Sequence, residues 1–337
     1  VLNLRILILI AGLSLLQIGE CSAQSVRDKL LTLARNNTSD GSEILERAGD
    51  FEFEKFLNSR DSAGLLEGFG TVVHESCHQL NHLISMKNSE SFGENLGFFI
   101  TKGVEIVAER GPVFNSTKLN GIVPKNLQKQ IFRYYTYIGE PRQYLGSQVD
   151  GVYGMLDEFC AYYQGTKASF ELYDFYYKYR CNGYKNALEW ANYVQHIASS
   201  AVAYYEFRMF ISWYLDYAKQ HDPKVYNSCM RNTHLRIAYT LIDNLYGPLV
   251  RDFNTMLEDL AVKLSKGNIK AEFADYENEK SFIIRTQLSP SRTSTQVFSV
   301  FSNEINLLND LLEGKQNGIL EDFRIKGATV ENYQSYF

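Results

Sequence analysis

The stretch Thr71-Val72-Val73-His74-Glu75-Ser76-Cys77-His78-Gln79-Leu80 decides how this chain is read. Two histidines stand four residues apart, with a glutamate directly after the first. On a helix, residues four apart share a face. His74 and His78 can then turn neutral imidazole nitrogens toward one metal ion. Glu75 lies about a quarter-turn round the helix. Its carboxylate there reaches a water beside the metal rather than the metal itself. Two ligands and a general base thus fall within one short segment reading H-E-x-x-H. The chain holds only six histidines, so composition alone does not predict this pairing. The flanking residues are uncharged, as a helix under a metal site requires, because an unpaired buried charge is costly.

A helix is expected from about Ser62 to Leu83, capped by the polar cluster Asn58 to Ser62. Catalytic zinc usually takes three protein ligands and leaves a position for water. His82 lies about one turn, roughly 5 Å, further along a straight helix, too far to join the first two. The residues after His78 include no Gly to break the helix, which argues against a metzincin arrangement. Glu158, in Leu156-Asp157-Glu158-Phe159-Cys160-Ala161, is the better candidate. On a helix Gly154, Met155, Ala161, Tyr162 and Gly165 share its face, and the small ones would let it approach the metal helix closely. Asp157 is the rival, and Glu94, Glu105 and Glu140 are further acids open to the role.

These two segments resemble gluzincins, zinc peptidases with two motif histidines and a glutamate on a later helix. Glu158-Phe159-Cys160-Ala161 is also similar to the glutamate helix of lethal-factor-type toxins. The resemblance covers about 25 residues in all. It implies a zincin-like core, one zinc ion per chain, His74, His78 and Glu158 as ligands, and Glu75 as general base. It also implies a Tyr or His that donates to the oxyanion. Tyr153 and Tyr144 are the candidates, with His196, His221 and His234 behind them. The chain departs from the family twice. Thermolysin-like enzymes carry an Asp four residues after the glutamate, where this chain has Tyr162. The lethal-factor pattern has its Tyr where this chain has Gly151.

The N-terminus reads as an export signal. Arg5 precedes an apolar run from Ile6 to Leu16, and Cys21-Ser22-Ala23 resembles a cleavage site. The run is short for a membrane span. Export to a secreted or periplasmic compartment is expected, with acylation of Cys21 as an alternative. Asn36, Asn37 and Asn115 head N-x-S/T triplets. Of the remaining cysteines, Cys181 and Cys229 form the favoured disulfide pair, with Cys77 and Cys160 as the other pairing considered or all four as free thiols.

A hydrophobic fraction of 45% supports a substantial core. A net charge of −5 with no long basic run argues against nucleic-acid binding. No later segment is apolar enough to span a membrane. The 23 tyrosines can pack in a core and still offer hydrogen bonds at a cleft.

Along the chain, a helix is expected at Ser25 to Arg35 and a loop at Asn36 to Ser42. A hairpin is expected at Phe98 to Glu109 around Lys102-Gly103, with an exposed strand that could pair with an extended substrate. Helices follow at Asn126 to Ile138, Tyr153 to Tyr163, Tyr173 to Tyr179, Asn186 to Lys219, Thr233 to Tyr246 and Leu249 to Leu264. Glu206 and Arg208 inside the long apolar helix need partners. Phe282 to Arg285 reads as a short strand and Phe301 to Leu312 as a helix. The fold class is therefore α+β, predominantly helical, with a small sheet or hairpin. The expected divisions are a leader at 1–23, an N-terminal segment at 24–60, a catalytic core at 61–265 and a C-terminal extension at 266–337. The function expected is that of an exported zinc metallopeptidase acting on peptide or protein substrates. The alternative is an exported peptide- or glycan-binding protein on a degenerate zincin fold.

Overall fold

A computed structural model describes residues 25–49, 52–57, 60, 62–91, 93–181 and 187–337. The expected leader, with Cys21, lies outside the described residues. Helices dominate, and two small antiparallel sheets accompany them, so the class is α+β. The N-terminal pair is α1 (Val26–Asn37) and α2 (Ser39–Arg47). The loop expected at Asn36 to Ser42 is cut short, because Thr38 caps α2 by accepting from the Gly41 amide. The metal-motif helix is α3 (Ser62–Lys87). It is followed by the hairpin of β1 (Asn95–Thr101) and β2 (Val104–Glu109), turning at Lys102-Gly103. The glutamate helix, α4 (Val152–Glu171), leads into α5 (Tyr173–Cys181). Then come α6 (Ala187–His221), α7 (Pro223–Arg231) and α8 (Thr233–Leu264). The core lies where α3, α4, α6 and α8 pack together behind the hairpin.

The C-terminal part is a sheet ordered β3-β4-β5, with β3 (Ile269–Tyr276), β4 (Glu279–Ser289) and β5 (Arg292–Ser299). Helices α9 (Ser302–Leu312) and α10 (Lys315–Phe323) follow it. The strand expected at Phe282 to Arg285 is the buried middle of β4, while its partners are largely polar and gave a weaker pattern. The sheet rests on α8, and α9 and α10 rest on α6.

Three expectations change. The helix expected at Asn126 to Ile138 is only a turn at Lys125–Gln128 and a wide π-type turn at Tyr135–Gly139. Between them, the amides of Phe132 and Arg133 donate to the carboxylates of Glu304 and Glu206, both at 2.7 Å. Those carboxylates take donors that a continuing helix would send to its own carbonyls. The two helices expected at 233–246 and 249–264 are one, running through Pro248. Burial of Tyr246, Gly247 and Val250 on either side of it offsets a helix penalty of about 3 kcal/mol.

The third change concerns the hairpin. Its outer strand does not offer a free edge. The Gly97 and Phe99 amides donate to Ser85 Oγ and Asn81 Oδ1 on α3, both at 2.7 Å. The Phe99 carbonyl accepts from Cys160 Sγ and Gln164 Nε2 on α4. Phe98, Phe99 and Ile100 are fully buried. Side chains of the two metal-site helices have thus taken the place of a neighbouring strand, and no extended substrate can pair there.

Cys77, Cys160 and Cys229 are free, buried thiols. Cys77 and Cys160 therefore do not pair, and Cys229 is not in a disulfide; the side chain of Cys181, its expected partner, lies outside the described residues. Among the described residues, no helix is long and apolar enough to cross a membrane.

Candidate metal centre

The site is built on one antiparallel helix crossing. Gly70 on α3 lies against Gly165 on α4. A Cβ on Gly165 would come 2.6 Å from the Gly70 carbonyl oxygen, and one on Gly70 would come 3.0 Å from the Gly165 carbonyl. Neither position tolerates a side chain, and this lets the backbones touch. From that point the partners step apart by four residues on each helix. The His74 ring donates to the Ala161 carbonyl, and His78 meets Asp157. Helical periodicity thus carries a glycine contact into a row of polar contacts.

Three side chains converge at this row. His74, His78 and Glu158 each present a ligand atom, and all three atoms lie within 4.8 Å of one another. The two Nε2 atoms are 3.1 Å apart. Glu158 Oε2 is 3.7 Å from His74 Nε2 and 3.6 Å from His78 Nε2. Ligands around a tetrahedral zinc at about 2.0–2.2 Å stand roughly 3.3–3.6 Å apart. The donor set of two imidazoles and a carboxylate fits a zinc ion in both size and chemistry.

The outer atoms of the two histidines are tied down, and so is the inner oxygen of Glu158. His78 Nδ1 lies 2.6 Å from Asp157 Oδ2, and Asn81 donates to the other Asp157 oxygen at 2.7 Å. A proton on Nδ1 leaves the Nε2 lone pair free for a metal. Asp157 therefore orients a ligand and does not join the set. Tyr137 donates its hydroxyl to Glu158 Oε2 at 3.0 Å, and the Tyr162 hydroxyl lies 3.3 Å from that of Tyr137. The Tyr162 ring packs edge-on against His74, with centroids 4.3 Å apart.

The charge states follow from these contacts. Burial, with His78 and Arg133 nearby, holds His74 well below the usual histidine range, so it is neutral. Burial also pulls on His78, but the Asp157 and Glu158 carboxylates outweigh it and raise its pKa well above the usual range. A metal at His78 must therefore displace a proton. Burial, aided by Glu158 and opposed by His78, raises Glu75 and makes it a stronger base.

Glu75 and His74 face a cavity of about 220 Å³ that opens beside the crossing. Tyr162 of α4, His196 and Ser200 of α6, and Arg133 also line it. Arg133 is held by Glu206, with Nη1 2.6 Å from Oε2, and by the Ser199 carbonyl at 2.6 Å. Arg208, also on α6, lies 3.2 Å from Asp243.

The remaining candidates lie elsewhere. Tyr153 is fully buried, and its hydroxyl accepts from the Gly111 amide at 2.9 Å and from Asn232 at 3.2 Å. It anchors a loop and does not face the ligands, so the oxyanion role expected of it does not hold. Tyr144 is 97% exposed, outside the cluster. Glu94 accepts from the Glu90 and Ser91 amides, Glu105 pairs with Arg47, and Glu140 lies 3.9 Å from Arg142. His221 packs on Tyr217 and His234 on Phe337, whereas His82 lines a separate cavity. Gly151 has φ of +57°, and a Cβ there would lie 2.8 Å from the Phe114 carbonyl oxygen. No tyrosine can stand at that position.

Sequence reasoning missed Tyr137 and the outer role of Asp157. Tyr137 comes from an irregular segment that no periodicity links to Glu158. The helical spacing of Tyr162 from Glu158 was visible, but its neighbours were not. The chain matches no family model, no curated protein and no solved structure.

Proposed function

We propose that this chain is an exported zinc-dependent hydrolase of peptide bonds, built on a zincin-like core of the gluzincin kind. One observation carries the reading: three convergent ligand atoms on His74, His78 and Glu158, with Glu75 one residue on and facing the adjoining cavity. A bound zinc ion would supply Lewis acidity to water and to the scissile carbonyl.

The chain's own residues do the rest. Glu75, raised by its burial, accepts the proton from the attacking water and passes it to the leaving amine. Asp157 and the Ala161 carbonyl fix the ring planes of His78 and His74. Tyr137 fixes Glu158. Burial and the neighbouring carboxylate keep the Tyr137 phenol protonated. Tyr137 spends its one proton on Glu158, so donation to the oxyanion falls to Tyr162, whose ring packs on His74, in place of Tyr153.

The test is zinc content by elemental analysis, for the mature protein and a Glu158→Gln variant. About one zinc per chain, lost in the variant, and cleavage of a peptide library by the wild type alone are expected. Absence of zinc after reconstitution would sink the reading.

A further inference from the structure

Arg133 takes no part in that chemistry, yet its guanidinium lies over the face of Tyr162, 4.4 Å from the ring centroid. A cation at that distance is attracted by the negative face of the ring. Three hydrogen bonds hold Arg133 in place. Nη1 donates to Glu206 Oε2 at 2.6 Å, Nη2 to the Ser199 carbonyl at 2.6 Å, and the backbone amide to Glu206 Oε1 at 2.7 Å. Its side chain is 9% exposed. Burial works against its charge, but Glu206 and then Tyr162 outweigh it, so the cation persists.

Tyr162 needs such a support. Its hydroxyl lies 3.3 Å from that of Tyr137, beyond the usual O–H···O range of about 2.5–3.0 Å. That contact leaves the O–H available and does little to aim it. The aim is therefore set at the ring. His74 packs against the ring at 4.3 Å and Phe207 at 5.4 Å, with Arg133 over its face. Of these three, only Arg133 is both charged and clamped by hydrogen bonds to a buried carboxylate. Tyr162, Arg133 and Glu75 line the same cavity, so the phenol and the general base face one space. Each terminal nitrogen of Arg133 already donates to the protein, and Glu206 matches its charge. Arg133 is thus better placed to support a donor than to be one.

We propose that Arg133, clamped by Glu206, is a positioning residue for the hydrolysis and holds the Tyr162 phenol where the tetrahedral oxyanion develops. The inference rests on the hydrolase reading above. A donor is effective when it is aimed before the charge develops, so that nothing reorganises during reaction. A misplacement of about 1 Å can cost about 100-fold in rate. A guanidinium plane can stack on a ring while its edge is hydrogen-bonded, which a lysine ammonium cannot match. Tyr162 would donate to an oxygen that carries charge only in the transition state. Arg133 should therefore govern kcat and leave KM nearly unchanged.

The experiment is a double-mutant cycle between Arg133→Lys and Tyr162→Phe, run on zinc-loaded protein with a fluorogenic peptide that the wild type cuts. Tyr162→Phe should lower kcat by about 10²–10³-fold. Arg133→Lys keeps a cation for Glu206 and should lower kcat by about tenfold, with zinc retained and KM within about twofold. In the Tyr162→Phe background, Arg133→Lys should have no further effect on kcat. An equal loss in both backgrounds would make Arg133 merely structural and overturn the proposal. So would full kcat in Arg133→Lys. If Arg133→Lys does not fold, Arg133→Met combined with Glu206→Gln takes its place, since that pair leaves no stranded charge. Crystal structures of the metal-free variants give a readout besides activity. When Arg133 is replaced, the Tyr162 ring should leave its 4.3 Å contact with His74. A ring that stays in place would overturn the positioning role whether or not zinc binds. If zinc is bound, the wild type cuts and the losses are additive, the positioning role alone falls. If no zinc is bound, the hydrolase reading falls and takes this one with it.

Discussion

Two buried polar clusters touch the ring of Tyr162, and they are built on opposite plans. The Arg133 guanidinium lies over that ring at 4.4 Å, and the His74 ring meets it at 4.3 Å. In the first cluster the charges balance inside the protein. Both oxygens of Glu206 accept from Arg133, one from its backbone amide and one from its side chain. The second arm of the guanidinium reaches a carbonyl. In the second cluster the imidazoles are tied at their outer atoms, to Asp157 and Ala161, while Tyr137 donates to Glu158 Oε2 from the side. The inner atoms of His74, His78 and Glu158 face one another across less than 4 Å. The difference separates a strut from a site. A strut closes all its polar atoms on one another, whereas a site closes its supports and leaves its inner atoms convergent.

The largest expected effect lies on the strut. Glu206 has no exposed surface. Glu206→Ala would strand the Arg133 charge and should lower the unfolding free energy by about 3–5 kcal/mol in urea titrations. Glu158→Gln is the counterpart in the site. It should abolish zinc binding while changing the stability of metal-free protein by less than about 1 kcal/mol. Equal losses in the two variants would erase the distinction.

Next in size is Glu75→Gln. It should keep a full complement of zinc and lower kcat by about 10²–10⁴-fold. Asp157→Asn should be milder, weakening zinc affinity by about 10–100-fold in a competition titration with a chelator. It removes an orienting carboxylate and no ligand. If it abolishes zinc as Glu158→Gln is expected to, Asp157 belongs inside the set and the support has been misassigned.

The strut and the site differ equally in how legible they were in the sequence. His74, Glu75 and His78 sit at fixed helical spacing, so a local rule placed them on adjoining faces. Glu158 could be nominated because Ala161 and Gly165 mark a face able to approach another helix. What puts Glu158 at the histidines is the Gly70–Gly165 crossing, a pairing of two distant segments. Glu206 was recognisable only as a buried acid in need of a partner. Arg133 escaped because its segment reads as helix, and tertiary carboxylates diverted its backbone donors. The hairpin was legible as strands and misread as an edge, since its capping groups come from two helices. The flanking strands of the C-terminal sheet carry few buried residues and left little trace in the pattern.

The smallest effect concerns an acid that keeps the strut from being a simple pair. Glu304 of α9 accepts from the Phe132 amide at 2.7 Å and lies beside Glu206. Burial, and then the Glu206 carboxylate, push its pKa up to about 8, with the Phe132 amide and Arg133 opposing. An unfolded glutamate titrates near 4.5. Between these values the folded chain holds a proton that the unfolded chain has released. Folding stability should therefore fall as pH rises from about 4.5 through 8, and this contribution should be flat outside that window. Solvent reaches part of Glu304, so the slope should be shallow. Glu304→Gln should flatten it, as read from urea midpoints collected across the window. The strut would then be a three-group centre sharing one proton, joining α6, α9 and the 132–133 segment. A slope unchanged in the variant would mean that Glu304 ionises freely, and that Arg133 and Glu206 balance without it.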